Sequence, residues 1–285
     1  MDVTYGAPPR AHDAGPPRAP HPAIRTVSLN AGAGVSAGAG VSAGTGVGGG
    51  GGAVPGPPTI DDTVIGGLHA ALDGAQEDPA CRILLITSAP GVFCTGMNLA
   101  AAGRDAGGAR ETGGAFFDLL RRFTLAPLIV ACAVDGQVAG GGVGLIAAAD
   151  LVLATERSTF ALPEALWGLL PCCVLPFLIR RTGFQRAYAM TLTTRPVSAQ
   201  EGVGWGLVDE LGPDLPALSR RVALRAARLD PSTVGSLKSY AHGLWPLSDD
   251  VREFAVGELD RLMGLPAVRG RLSAFAASGR YPWER

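Results

Sequence analysis

The sequence has almost no net charge: 24 Lys and Arg stand against 25 Asp and Glu, a formal −1 at pH 7. Bulk electrostatics therefore offer nothing to nucleic acid or to an anionic membrane. A ligand-like grouping of cysteine and histidine is also lacking. The five cysteines (Cys81, Cys94, Cys132, Cys172 and Cys173) are odd in number, lie mostly in apolar runs and show no metal-site spacing with the four histidines. Buried free thiols in a reducing cytoplasm are expected, with no metal. No apolar run reaches the roughly 20 unbroken residues of a membrane helix, because Pro127, Asp150, Glu164, Pro171, Pro176 and several glycines interrupt the candidates. The N-terminus, MDVTYGAPPRAHDAGPPRAPHPA, has no apolar core of the secretory kind and reads as a loose tail.

What is present is enough apolar material for a large core. A chain of 285 residues with 47% apolar content fits one sizeable domain, or a domain with an appendage. We divide it into a disordered tail over 1–23, a core over 24–215 and a helical region over 216–285. Within the core, Ala31 to Pro58 is a glycine- and alanine-rich tract with too few large side chains to offset its ordering entropy, and is expected to be a flexible insert. It separates a short strand, IRTVSLN, from a helix starting near Thr59, capped by Asp61 or Thr59, with Val64, Ile65, Leu68 and Leu72 on its apolar side.

Two aliphatic runs of strand length follow, RILLITSA from Arg82 and PLIVACAVDG from Pro127, and each suits a buried parallel strand. Shorter strands are expected around Leu151–Ala154 and Thr159–Leu162. The recurring order of strand, glycine turn and helix indicates an α/β layout. The helices beyond Pro216 alternate apolar and charged faces, which suits packing on the core or on a neighbouring subunit.

The glycine turns are Thr95-Gly96-Met97-Asn98 and Ala139-Gly140-Gly141-Gly142, each placed to open a helix. Glycine permits close backbone approach, and the first N–H groups of a helix favour negative charge. Two such turns from neighbouring strands would aim two N–H groups at one oxygen, an oxyanion hole. The plainer reading of the triple glycine is a tight helix–sheet contact. Around it no GxGxxG or Walker spacing supports phosphate binding. No GxSxG elbow joins a buried strand to a helix, and the histidines fall in the tail or in helical segments, which excludes a serine triad.

One acid stands inside an apolar run: Glu164 in FALPEALWGLLP. After Pro163 it is a natural first-turn helix residue, complementing the helix dipole. Among Leu162, Leu166, Trp167 and Leu169 it would also be desolvated, which raises its pKa and suits it to proton transfer near neutral pH.

Taken in order, FCTGMNL, DGQVAGGGVGL with AAAD, FALPEALWGLLP and WGLVDEL resemble the successive motifs of the crotonase, or enoyl-CoA hydratase/isomerase, superfamily, from about Thr59 to the C-terminus. The resemblance implies a spiral of β-β-α units with a C-terminal helical trimerisation region, a homotrimer or hexamer, and an acyl thioester substrate stabilised as its enolate. By position it implies Met97 and Gly141 as backbone oxyanion donors and Glu164 as one of two hydratase glutamates. The other glutamate falls at Gly144, a departure from the two-carboxylate hydratase.

LPCCVLPFLIRRTGFQRAYAMTLTTRPVSAQE and the terminal SGRYPWE are similar to dehydratases of polyketide β-branching, a subfamily that also has glycine at the first glutamate position. This implies dehydration of a 3-hydroxy-3-methylglutaryl group carried on the phosphopantetheine of an acyl carrier protein, with no further cofactor. An acyl-CoA hydratase or isomerase of general metabolism, a decarboxylase of the same cassette and a silent thioester-binding scaffold are the alternatives.

The substrate's free carboxylate calls for a cation. Arg104, Arg121 and Arg122 are candidates, each with a solvated surface arginine as the plainer expectation. Lys238 is either a pantetheine contact or a surface lysine. Cys172 and Cys173 are expected to be inert core thiols beside the pocket.

Overall fold

The computed structural model describes residues 23–30, 34–39, 57–98 and 108–284. Its first elements are β1 (Ile24–Asn30), β2 (Gly34–Ala39) and α1 (Asp62–Glu77). Three β-β-α units follow. They are β3 (Ile83–Ser88), β4 (Gly91–Cys94) and α2 (Ala109–Leu125); β5 (Ile129–Val134), β6 (Gly136–Ala139) and α3 (Gly141–Ala148); and β7 (Leu151–Ala154), β8 (Thr159–Ala161) and α4 (Glu164–Trp167). The chain continues through α5 (Leu175–Thr182), α6 (Phe184–Thr193), β9 (Val197–Ser198), α7 (Ala199–Trp205) and β10 (Glu210–Leu211). It ends in α8 (Leu215–Ala226), α9 (Pro231–Leu244), α10 (Asp249–Met263) and α11 (Pro266–Ser278).

The first strand of each unit enters a six-stranded sheet ordered β10-β7-β5-β3-β1-β2, and the second enters a four-stranded sheet ordered β4-β6-β8-β9. Each unit therefore advances one place in both sheets, which makes the spiral. The aliphatic runs fit because β3, β5 and β7 pair in parallel and are covered on both faces. One face meets the main core; the other, with Ile83, Leu85, Ala131 and Leu153, is sealed by Leu218, Val222 and Ala226 of α8.

In α1, Asp61 is the cap, accepting from the Val64 N–H at 2.9 Å. The helix carries Gly66, Gly67 and Gly74, each costing about 1 kcal/mol against alanine. Fully burying Leu68 and Leu72, together with Val64 and Ile65, outweighs this at about 1.5–3 kcal/mol per side chain.

Two boundaries differ from expectation. Within the tract expected to be a flexible insert, residues 34–39 form β2, an edge strand antiparallel to β1 with Val35 opposite Leu29. Backbone pairing needs no large side chain, and Val35 packs so closely on α1 that a Cβ at Gly67 would sit 2.1 Å from its methyl. Ala23, assigned to the tail, is buried, and its carbonyl accepts from Arg82 and Ile83 at 2.9 and 3.0 Å. The remainder of both segments, 1–22, 31–33 and 40–56, lies outside the described residues. No helix among the described residues is long and apolar enough to cross a membrane.

Candidate active site

Because β4 and β6 are parallel neighbours, both glycine turns emerge from the same end of the small sheet. They touch there. A Cβ on Gly96 would lie 3.0 Å from both the Ala139 oxygen and the Gly141 nitrogen, and the positive φ of Gly96 (+89°) and Gly140 (+54°) strongly favours glycine.

The turn after β4 is pinned by Ile60, whose N–H donates to Gly96 O at 2.7 Å and whose carbonyl accepts from Asn98 N–H at 3.3 Å. The Gly140 N–H is held by Ala161 O at 3.0 Å. Gly141 opens α3, where the first N–H groups have no intrahelical acceptor. For the Met97 and Gly141 amides, no acceptor is found among the described residues.

β8 lies beside β6 and delivers the chain to Glu164. Pro163 precedes a single helical turn, which Gly168 ends in the left-handed conformation. Both readings of Glu164 therefore hold, since it starts a helix and its carboxyl is buried. The residue as a whole is partly exposed, but Oε2 is inaccessible and has no hydrogen-bond partner among the described residues. Oε1 points to the glycine turn, 3.2 Å from where a Gly140 Cβ would stand. Burial pushes this carboxyl up to about 7, against a weaker opposing hydrogen bond from its own amide.

Glu164, Met97, Gly140 and Gly141 share the wall of a cavity with about 750 Å³ of empty space, part of it open to solvent. The rest of the wall is largely apolar: Phe116 of α2, Leu259 of α10, Trp167 and Ile60 are the bulky members. Glu164 is the only charged residue among the described lining. Gly144 is one turn into α3, where a Cβ would meet Val174, Leu120 and Phe116 at 3.1–3.2 Å. A side chain there would have to displace those groups. Among the described residues no group of acids, histidines or cysteines is arranged to hold a metal ion.

The cationic candidates fare differently. Arg104 lies outside the described residues. Lys238, expected at the surface or on pantetheine, is buried instead: its Nζ lies 2.6 Å from Asp150 Oδ2 and donates to Phe123 O at 2.9 Å. In the fold it is a member of a buried ion pair. Arg121 pairs with Asp249 at 2.6 Å and Arg122 with Asp73 and His69, so neither reaches the cavity. Arg181 of FLIRR holds the carbonyls of Leu207 and Ala149 and the carboxylate of Asp209. Cys172 and Cys173 do line the cavity, and burial pushes both thiols up to about 12.

Two wall elements escaped the sequence reading. Phe116 is legible only through its spacing with Leu119, Leu120 and Phe123 on α2. Leu259 had no local signal, because its position follows from α10 packing on α2.

The chain matches the enoyl-CoA hydratase/isomerase family model over residues 57–242. It is 31% identical to the bacillaene synthase dehydratase of Bacillus subtilis over 232 residues, 79% of this chain and 88% of that protein. It is 34% identical to a carnitinyl-CoA dehydratase of Proteus mirabilis, over 57% of this chain and 64% of the relative. Among solved structures, one from Bacillus subtilis described as a polyketide biosynthesis enoyl-CoA hydratase superposes with a TM-score of 0.73 at 29% identity, covering 79% of this chain and 90% of the other.

Proposed function

Since the chain belongs to the enoyl-CoA hydratase/isomerase family, we propose that it is a hydro-lyase acting on a 3-hydroxy-3-methylglutaryl thioester of an acyl carrier protein, forming the 3-methylglutaconyl thioester in polyketide β-branching. The similarity to the bacillaene synthase dehydratase supports the dehydratase chemistry and the polyketide setting. The observation that carries this reading is Glu164: one buried carboxyl, its Oε2 without a hydrogen-bond partner among the described residues, in a cavity shared with two glycine turns.

In this reading the ionised carboxylate takes a proton from C2 of the acyl group, and the thioester oxygen gathers the negative charge. The amides of Met97 and Gly141 donate to that oxygen, with the positive end of α3 behind them. The C2–C3 double bond then forms as the 3-hydroxyl leaves. It takes the proton now on Glu164 and departs as water, which restores the carboxylate. One carboxyl serves both steps because the proton and the hydroxyl leave from the same face.

Phosphopantetheine is the only prosthetic group required, and it arrives with the carrier. Arg104 is our candidate partner for the substrate's free carboxylate. We place the enzyme in the cytoplasm, where its buried thiols stay reduced.

We further propose a homotrimer or a hexamer of two trimers. Phe184, Tyr188 and Leu192 form an exposed stripe on α6, and Leu237, Tyr240 and Leu244 are exposed on α9. A monomeric mass by light scattering at micromolar concentration would refute that assembly.

The deciding test is intact-mass spectrometry of a carrier protein loaded with 3-hydroxy-3-methylglutaryl-phosphopantetheine. Loss of about 18 Da with the parent protein and not with Glu164→Gln is expected. Hydration of crotonyl-CoA with an unchanged carrier mass would favour a general acyl-CoA enzyme, and no turnover of either would leave a thioester-binding scaffold.

A further inference from the structure

The terminal SGRYPWE stretch takes no part in the chemistry above, yet it is folded against it. After α11, Gly279 turns the chain at φ +69°, with its N–H on Phe275 O at 2.7 Å. Reciprocal bonds close the next turn: the Tyr281 N–H donates to Glu284 Oε2 at 3.0 Å, and the Glu284 N–H to Tyr281 O at 3.1 Å. Within it the Tyr281 and Trp283 rings stack, 4.9 Å apart and 23° from parallel.

That stack rests on Trp167. The Trp167 ring meets Phe275 at 5.1 Å, Trp283 at 5.4 Å and Tyr281 at 6.0 Å, all edge-on, and only 2% of the residue is exposed. Trp167 also walls the cavity and ends the one-turn helix that Glu164 begins. α11 grips the backbone of the same turn through Arg271 Nη1, which donates to Trp167 O at 3.0 Å. A helix of four residues cannot hold its own shape, so the geometry of this turn comes from what packs on it.

We propose that the Tyr281–Glu284 segment is a positioning element of the site: its aromatic stack buttresses Trp167, fixes the turn that carries Glu164 and keeps water from the carboxyl. The proposal deepens, and rests on, the reading of Glu164 as the acid–base group.

The elements around this turn carry the thiols of Cys172 and Cys173, both raised by burial, the Glu258–Arg261 pair of α10, Arg269 and Arg271 of α11, Arg186 and Tyr188 of α6, and Arg280, Tyr281 and Glu284 of the tail; the remaining charges of α10 are Asp249, Asp250, Arg252, Glu253 and Asp260. None is hydrogen-bonded to Glu164 Oε2, whose elevation comes from burial. Loosening the turn admits water and lowers the carboxyl toward the ordinary range.

The test is a ¹³C NMR titration of glutamate side chains, with the Glu164 signal assigned by its absence in Glu164→Gln. The parent midpoint is expected near 7. Tyr281→Ala/Trp283→Ala should bring it down by about one pH unit or more, while Trp283→Phe keeps it. On the loaded carrier, kcat of the double variant should fall about tenfold with KM held, and the acid limb of the pH–rate profile should move with the NMR midpoint.

A folded double variant with the parent midpoint overturns the proposal. If the double variant does not fold, Trp283→Ala alone is read by the same criterion. The titration needs no substrate. A shifted midpoint in a protein that turns nothing over refutes the dehydratase reading alone, whereas normal turnover with an unshifted midpoint refutes the positioning role alone.

Discussion

Lys238 and Asp150 form an ion pair inside the protein, Nζ to Oδ2 at 2.6 Å, which ties α9 to the sheet where β5 and β7 begin. Asp150 also accepts from the Val130 N–H at 2.7 Å. Burial raises the Asp150 pKa and lowers that of Lys238, so desolvation outweighs pairing on both sides. Such a pair adds little net stability but is costly to break, since removing one partner strands a buried charge.

Lys238→Met should therefore lose about 3–5 kcal/mol in urea unfolding. Adding Asp150→Asn should recover most of the loss, and KM for the carrier should be unaffected in either folded variant. A raised KM with parental stability would return Lys238 to the substrate side.

Glu164 makes the opposite prediction, because burying its unpaired carboxyl costs the fold stability once it ionises. Its carboxyl is lifted from 4.5 to about 7 in the folded state. Below pH 4.5 it is protonated in both states and has no effect. Between these values the unfolded chain releases the proton and the folded one retains it, so stability falls as pH rises, by about 3 kcal/mol in all. Above 7 both states are ionised and the loss is constant.

Glu164→Gln cannot ionise. Its stability should equal the parent's near pH 4 and exceed it by about 3 kcal/mol at pH 8, while activity drops about 10²–10⁴-fold. Parallel stability curves for the two proteins between pH 4 and 8 would mean that the carboxyl is not desolvated.

These two residues also show where sequence reading succeeds and where it stops. Glu164 was legible because its burial is announced locally, by the apolar residues on either side and by Pro163. The strands are legible for the same reason: ILLI of β3 and IVACAV of β5 are unbroken apolar runs. The Asp61 cap follows from a rule confined to a few neighbouring residues.

The burial of Lys238 is not legible locally, because its environment is made by Asp150 and Phe123, which come from distant parts of the chain. β2 is not legible because GVSAGA, with Val35 as its one large apolar side chain, carries no apolar period, and its pairing is made by backbone. The cavity wall contributed by Leu259 depends on how α10 docks on α2, and the role of Trp283 depends on how the chain turns after α11. Local patterns specify elements, and contacts between elements specify sites.

Gly144 tests whether the single-carboxylate arrangement is a matter of side-chain identity or of packing. The position is buried, and the nearest atoms, on Val174, Leu120 and Phe116, stand 3.1–3.2 Å from where a Cβ would be. Gly144→Ala already presses on those neighbours and should cost about 1–3 kcal/mol. Gly144→Glu adds a carboxyl among the apolar groups of Val174, Leu120 and Phe116, and should lose about 3 kcal/mol or more in urea unfolding. It should add water to a crotonyl thioester no faster than the parent. A stable Gly144→Glu protein with enhanced hydration would mean that the wall yields and that a substitution alone separates the two chemistries. If it unfolds while Gly144→Ala holds, the wall itself has excluded the second acid, and reacquiring it requires Val174, Leu120 and Phe116 to change together.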